Sequence, residues 1–434
     1  MDVSSRYYNI LKIRDRNLLK YLWGFLLSIY RVGKLRELSS FCYWEVNHRF
    51  KLYRPSRYIL FQKQACLLLN HQGELSDQAS LVNDQIALEA VGFERLMTDW
   101  KYCIEAADYT LWGCRFSNPT ALYHSENQLS TPVLVHSFTG AISSMFISRN
   151  STLFVCCDGL IYRSMNRGIS FEAVLHLSSS VSYFLYNNGM TELPNQVLLL
   201  GEYGSIWNKN SWQNLAFLYY STDGGQTWNR TDFLQRSGVN KHIHVVRYSP
   251  HLKAIVLTDG DNRKQLWLNS TLTHFSEQVS KKQPGWRLVN RFHHQMGGYL
   301  SMAETGTSIL LGSDYLGGTN FLIQTQDGRR FEKKVMSDPY RRSPVVNMVT
   351  RETPTGNEIW AITYSCLSSH NRCLLMYTKD SGKTWVKVID FDGTQNEVRL
   401  VTSSVNPSSL LFISITYYGK AGSQLHTHQL YSLK

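Results

Sequence analysis

Four residues at fixed offsets constrain this chain more than any other feature. In YYSTDGGQTW, Ser221, Asp223, Gly225 and Trp228 spell S-x-D-x-G-x-x-W; in MYTKDSGKTW, Thr378, Asp380, Gly382 and Trp385 spell its threonine form. IYRSMNRGISF carries a weaker copy (Ser164, Asn166, Gly168, Phe171), and IQTQDGRRF carries one that is a residue short (Thr325, Asp327, Phe331). LWLNSTLTHF (266–275) and LYHSENQ (122–128) are eroded candidates. Asp223 and Asp327 stand 104 residues apart, Asp327 and Asp380 stand 53 apart, and the eroded copy near 270 fills the gap. The period is therefore about 50 residues, the size of a four-stranded propeller blade. Each box follows two apolar, β-rich runs and precedes a short third one. Its residue types suit a hairpin turn: Ser, Thr and Asp bond nearby backbone N–H groups, Gly takes a positive φ, and Trp tucks beneath as an apolar anchor.

Third strands are expected near residues 122, 161, 218, 267, 322, 375 and 430. The expected fold is thus an all-β, seven-bladed propeller over residues 105–434, behind a partly helical N-terminal region, 1–104; six blades is the alternative. The closing HTHQLYSLK reads as a third strand with no fourth. An open sheet edge exposes unpaired backbone groups, so the N-terminal region is expected to supply the missing strand, with RYILFQKQACLLLNH (57–71) as the candidate.

These boxes resemble the Asp-box, or BNR, repeats of sialidase-like β-propellers. The resemblance implies that the box residues are structural turns, distant from any active site. It does not extend to sialidase chemistry, which needs an arginine triad, a Tyr–Glu pair and an F-R-I-P-like stretch; LYRPSR (52–57) lacks that pattern.

Charge and aromatic content narrow the partner. The formal net charge is +12, and the chain holds 11 Trp, 25 Tyr and 19 Phe. A basic balance favours polyanions, no nucleic-acid module is visible, and flat rings stack on sugar faces. An acidic polysaccharide or oligosaccharide is the expected partner, and nucleic acid is not. The eight cysteines are scattered without C-x-x-C, which fits reduced thiols, with Cys156 and Cys157 sent to opposite faces of one strand. YLWGFLLSIY (21–30) is too short to span a bilayer and no small-residue cleavage site follows it. It reads as an amphipathic helix packed on the domain or lying on a membrane surface through residues 15–35, in a protein of cytoplasmic setting.

Strand order gives a direction. The boxes and the turns after first strands share one face of a propeller; ends of second strands and starts of first strands share the other. That second face gathers Glu202 and Tyr203, Asp259 and Asp261, Asp314 and Tyr315, then His242 and His244 in KHIHVVRY, and Arg287 in GWRLVNRF. His242, His244 and Tyr248 stand in phase on one strand, and Arg263 follows the TDGD turn. These four are the candidate catalytic residues, with Glu202, Tyr203, Asp259, Asp261, Arg287, Asp314 and Tyr315 binding substrate. The segment resembles, more loosely, the His–Tyr–Arg equipment of propeller-type polysaccharide lyases, which implies carboxylate neutralisation by Arg and proton transfer by His or Tyr. The carboxylates supply a glycosidase alternative. No cofactor is expected; a metal on His242 and His244 with Asp259 or Asp261 is the other reading of the same residues. Two function classes stay open: a lyase or glycosidase acting on a polysaccharide, as in exopolysaccharide metabolism, and a non-catalytic propeller that binds sugar or protein.

Overall fold

The computed structural model describes residues 18–31, 35–69, 78–207, 212–213, 215–236, 242–260, 265–278, 284–290, 298–418 and 426–433. Seven antiparallel sheets follow one another, each with four strands arranged from the channel outward. Their third strands are Ala121–Ser125, Leu160–Ser164, Leu218–Ser221, Leu266–Asn269, Phe321–Thr325, Arg372–Thr378 and His426–Leu433, matching all seven positions read from the repeat. The protein is a seven-bladed β-propeller. Middle strands such as Ala254–Asp259 are buried along their whole length. A blade packs on a neighbour at both faces, so such strands read as continuous apolar runs rather than alternating ones.

Burial is organised by junction. Seven apolar clusters each fill the seam between two adjacent blades, such as Ile255, Leu257 and Trp267 of blade four against Leu199 and Leu218 of blade three. Cys156 faces the seam between blades two and three, Cys157 the seam between one and two, as alternation requires. All eight cysteines are free thiols.

The ring closes through the N-terminal region, but not through the stretch expected. The outer strand of blade seven is Phe93–Leu96, antiparallel to His426–Leu433 with Phe93 opposite Leu433 and Leu96 opposite Leu430. Of the 57–71 stretch, the described residues 57–69 instead run along the outer edges of blades five and six. Ile59 N–H donates to Val335 O (2.9 Å), Gln62 N–H to Trp385 O (2.8 Å), and Leu67–Leu69 pairs in parallel with Val386–Asp392. The boundary expected at 104/105 falls inside Trp100–Glu105, the inner strand of blade one. A second stitch pairs Thr402–Ser404, just past the inner strand of blade seven, in parallel with that same strand.

The boxes are turns, and they also clip blades together. Ser221 Oγ accepts the Gly225 N–H (2.8 Å) and donates to Asp223 Oδ1 (2.7 Å); Asp223 Oδ1 accepts the N–H groups of Gln226 and Thr227, each at 3.0 Å. Hydrogen bonds from Thr227, then Ser221, hold the Asp223 carboxyl well below the usual carboxylate range. Trp228 Nε1 donates to Gly225 O at 3.1 Å. Gly225 has φ +85°, and a Cβ there would stand 2.4 Å from Phe154 of blade two; Gly224 has φ +71° with nothing within 4 Å. The two glycines therefore separate backbone strain from packing. Gly224→Ala should cost about 1 kcal/mol, the left-handed penalty alone, whereas Gly225→Ala should cost about 3 kcal/mol, because Phe154 must also move. Thermal unfolding of the two variants checks this; equal losses would contradict the clip.

Candidate functional site

The face opposite the boxes carries the histidines. His242 Nδ1 lies 3.0 Å from Gly204 O, and a carbonyl only accepts, so Nδ1 holds the proton. His242 Nε2 then accepts from His244 Nε2 at 2.9 Å. Asp314 Oδ2 stands 3.9 Å from His244 Nε2, and the Tyr203 ring lies 4.1 Å from the His242 ring. His242, His244, Tyr203 and Asp314 thus form one cluster. Both histidines are buried. Cβ atoms at Gly260 and Gly298 would come within 2.2 and 2.7 Å of the His244 ring, so backbone closes over it from two sides.

The remaining residues expected at this site are elsewhere or otherwise engaged. Glu202 is buried and accepts from Ser178 N–H (3.0 Å), Ser178 Oγ (2.9 Å) and Tyr219 OH (2.8 Å), tying blade two to blade three. Asp259 is buried and accepts from Gln265 N–H (2.9 Å) and Trp267 Nε1 (3.4 Å), bracing its own blade. Tyr315 shares a turn with Asp314, and Asn320 bonds both its N–H and its carbonyl at 2.8 Å. Arg287 begins Arg287–Asn290, the outer strand of blade four, not an inner strand, and its side chain is exposed. Tyr248 is on the same strand as His244 but at its far end, next to the turn shared with the box face. A bulge between Ile243 and Val245 also breaks the phase that seemed to align it with the histidines. Asp261 and Arg263 lie outside the described residues. Arg287, Arg291, Arg341 and Arg342 read by sequence as a candidate arginine cluster; Arg341 and Arg342 both pair with Glu45, at 2.6 and 3.3 Å, Arg287 lies on the outer strand of blade four, and Arg291 lies outside the described residues.

Among the described residues, two adjoining cavities open at the box-face mouth of the channel. A cavity of about 720 Å³ sits at that mouth of the channel, and one of about 300 Å³ adjoins it; they share Asn187, Thr191, Glu192, Arg247 and Tyr248. His251 Nε2 donates to Gln326 O at 2.7 Å, joining the turn beside this cavity to the Thr325–Asp327 box. The segment before the inner strand of blade three crosses the axis beneath it. The Tyr186 hydroxyl accepts the Cys103 N–H (3.2 Å) and lies 2.8 Å from Cys103 O and 2.9 Å from Val401 O, in blades that do not adjoin blade three. Asn187 Nδ2 continues the crossing to Thr402 O at 3.2 Å. This plug separates the cavity from the histidine face.

The wall is polar and titratable. Arg247 is half-buried; one Nη donates to Met302 O at 2.6 Å, and burial pushes its pKa down against the opposing charge of Glu304. Glu304 Oε1 accepts from His251 N–H (2.6 Å) and Ser249 Oγ (3.1 Å), yet burial outweighs these and holds its carboxyl above the ordinary value. Asn187 has φ +69°, and its side-chain carbonyl is buried with no partner among the described residues. Perturbed acids and bases gathered in a channel mouth make this cavity the candidate site. Sequence reasoning passed over Arg247 and Glu304. Their signal was a charge at the end of an apolar inner strand, in HVVRYS and LSMAETG, where core packing gives no reason for one. Among the described residues no group of three His, Cys, Asp or Glu stands together as a metal site.

Comparison with known proteins agrees at the level of repeat and fold. Residues 219–230 match the BNR/Asp-box repeat model. The extracellular domain of a one-component system from B. thetaiotaomicron superposes with TM-score 0.50 at 10% identity, over 74% of this chain and 38% of that one. Virginiamycin B lyase from Staphylococcus aureus superposes with TM-score 0.47 at 11% identity, over 79% and 98%. YCF48 from Cyanidioschyzon merolae does so with TM-score 0.46 at 12% identity, over 78% and 98%. At such identities the likeness is one of fold alone. No curated protein matches in sequence.

Proposed function

We propose that this Asp-box propeller binds an acidic oligosaccharide, or a segment of an acidic polysaccharide, in the cavity at the box-face mouth of its channel. The observation that carries the reading is Arg247, a half-buried cation on the cavity wall with no ion pair among the described residues. A guanidinium fork takes a carboxylate in two parallel hydrogen bonds, more strongly in a partly dry site than in water. Around it stand a tyrosine ring at Tyr248, hydroxyls at Thr191, Ser403 and Ser404, and the unpaired carbonyl of Asn187. A ring to stack on, groups that donate and accept, and an acceptor needing a hydroxyl suit a sugar better than an apolar ligand.

Glu304 favours a second, catalytic reading. A carboxyl that keeps its proton to higher pH beside a cation is suited to general acid work. The histidine pair is not part of it, being buried beyond the plug.

The test is retention of the protein on immobilised acidic and neutral oligosaccharides, followed by incubation with those retained. Retention on acidic sugars alone, lost in Arg247→Gln, is the expected result; no retention, or retention that Arg247→Gln leaves intact, would sink the proposal. A new ultraviolet absorbance would report elimination, and new reducing ends would report hydrolysis. pH gives an independent check. Glu304 has a raised folded pKa, so its contribution to stability is fully present below the unfolded value and is lost as pH rises through the folded one. The same protonation removes a negative charge from beside the ligand. Affinity for an acidic sugar should therefore rise as pH falls toward the ordinary carboxylate range, and Glu304→Gln should flatten that rise.

A further inference from the structure

The helix Leu18–Arg31 turns its apolar stripe outward. Leu19, Trp23, Leu26 and Tyr30 recur at i, i+4, i+7 and i+11, the spacing of one helix face. In a surface helix that face covers the core. Here the four side chains are 81%, 64%, 39% and 66% exposed, while the half-buried positions are Gly24, Phe25, Ser28 and Ile29. Lys20 and Arg31 flank the stripe. The helix packs on Leu35–Arg49, which is itself fixed to the propeller. Trp44 lies 4.4 Å from Phe321 at the start of a third strand, and Glu45 holds Arg341 and Arg342 just before the inner strand of blade six. Both anchors belong to the face opposite the boxes. Residues 1–66 contain thirteen Lys and Arg against four Asp and Glu, so +9 of the total +12 is concentrated there.

We infer that this region docks the protein on an anionic lipid surface, with the helix lying in the plane of the interface. The fourteen described residues reach about 21 Å, short of the ~30 Å hydrocarbon core, which suits a helix lying in the interface. Leu19 and Leu26 enter the acyl boundary, Trp23 and Tyr30 sit at headgroup depth, and Lys20 and Arg31 extend to phosphates. Charge selects the occupant. A second copy of this chain would bring the same positive region into contact with itself, whereas an anionic bilayer neutralises it. The inference is independent of what the cavity binds.

The experiment is co-sedimentation of the full chain with vesicles of phosphatidylcholine alone and of phosphatidylcholine mixed with phosphatidylglycerol. Binding to the mixed vesicles should be stronger by about tenfold or more, and should weaken in high salt. Trp23→Glu with Leu26→Glu should lose about tenfold or more of it with an unchanged melting temperature, since both side chains are exposed. Equal or absent binding to the two lipids, or full binding by the double variant, would overturn the inference. So would a dimer that the double variant dissolves, in a protein that ignores both vesicles.

Discussion

A fragment of residues 97–434 should be insoluble, whereas one that begins at residue 35 should fold. The first truncation removes Phe93–Leu96, leaving His426–Leu433 as an unpaired edge at the one place where the ring closes. It also removes three plugs from three seams. Trp44 fills the seam between blades four and five, Ile59 that between five and six, and Leu69, Leu88 and Phe93 that between six and seven. Five buried apolar side chains at about 1.5–3 kcal/mol each amount to as much as the whole net stability of a typical domain, about 5–15 kcal/mol. Among the described residues, the second truncation removes only the outward-facing helix. Solubility and cooperative thermal unfolding separate the two outcomes. A soluble 97–434 fragment with a single sharp transition would show that the last blade holds without its borrowed strand.

What the sequence disclosed and what it withheld follow from how local each feature is. The box writes its turn within eight residues: Ser221 and Asp223 supply the acceptors, Gly225 the positive φ and Trp228 the anchor, so no distant partner is needed to recognise it. The repeat then placed all seven third strands. The closing strand was hidden because FERL is four residues long, with no alternation, beside the longer apolar text of 57–71. Only pairing with the far end of the chain makes it a strand. Arg287 went astray for a related reason. RLVN (287–290) is a strand, but the box before it is eroded, so its place in the blade could not be counted. Tyr248 was lost to the bulge, which alters phase without any mark in the sequence. Arg247 and Glu304 were in plain view as charges among apolar residues. The crossing beneath the cavity depends on Tyr186, whose partners lie 83 and 215 residues away.

The second large effect concerns the buried histidines. His244→Ala removes a ring packed against Gly260 and Gly298 and takes away the donor to His242 Nε2. A partly collapsed cavity plus a lost buried hydrogen bond should cost about 2–4 kcal/mol. The loss should appear as a lower melting temperature and faster unfolding. In the protein that remains folded, the box-face cavity is untouched, because the plug at Tyr186 and Asn187 stands between the two sites. Arg247→Gln should behave in the opposite way. Its one hydrogen bond among the described residues, to Met302 O, is a small share of the fold, while on the proposed reading its charge is the main attraction for a carboxylate, so an acidic ligand should lose about 2–3 kcal/mol or more of binding.

Isothermal titration of one retained acidic oligosaccharide into the wild-type protein, Arg247→Gln and His244→Ala, each with its melting temperature recorded, therefore tests the central claim most directly. The account predicts that Arg247→Gln keeps its melting temperature and loses binding, while His244→Ala melts earlier and binds with the wild-type affinity. Full binding by Arg247→Gln, with binding abolished in a stably folded His244→Ala, would contradict it and return the site to the face opposite the boxes.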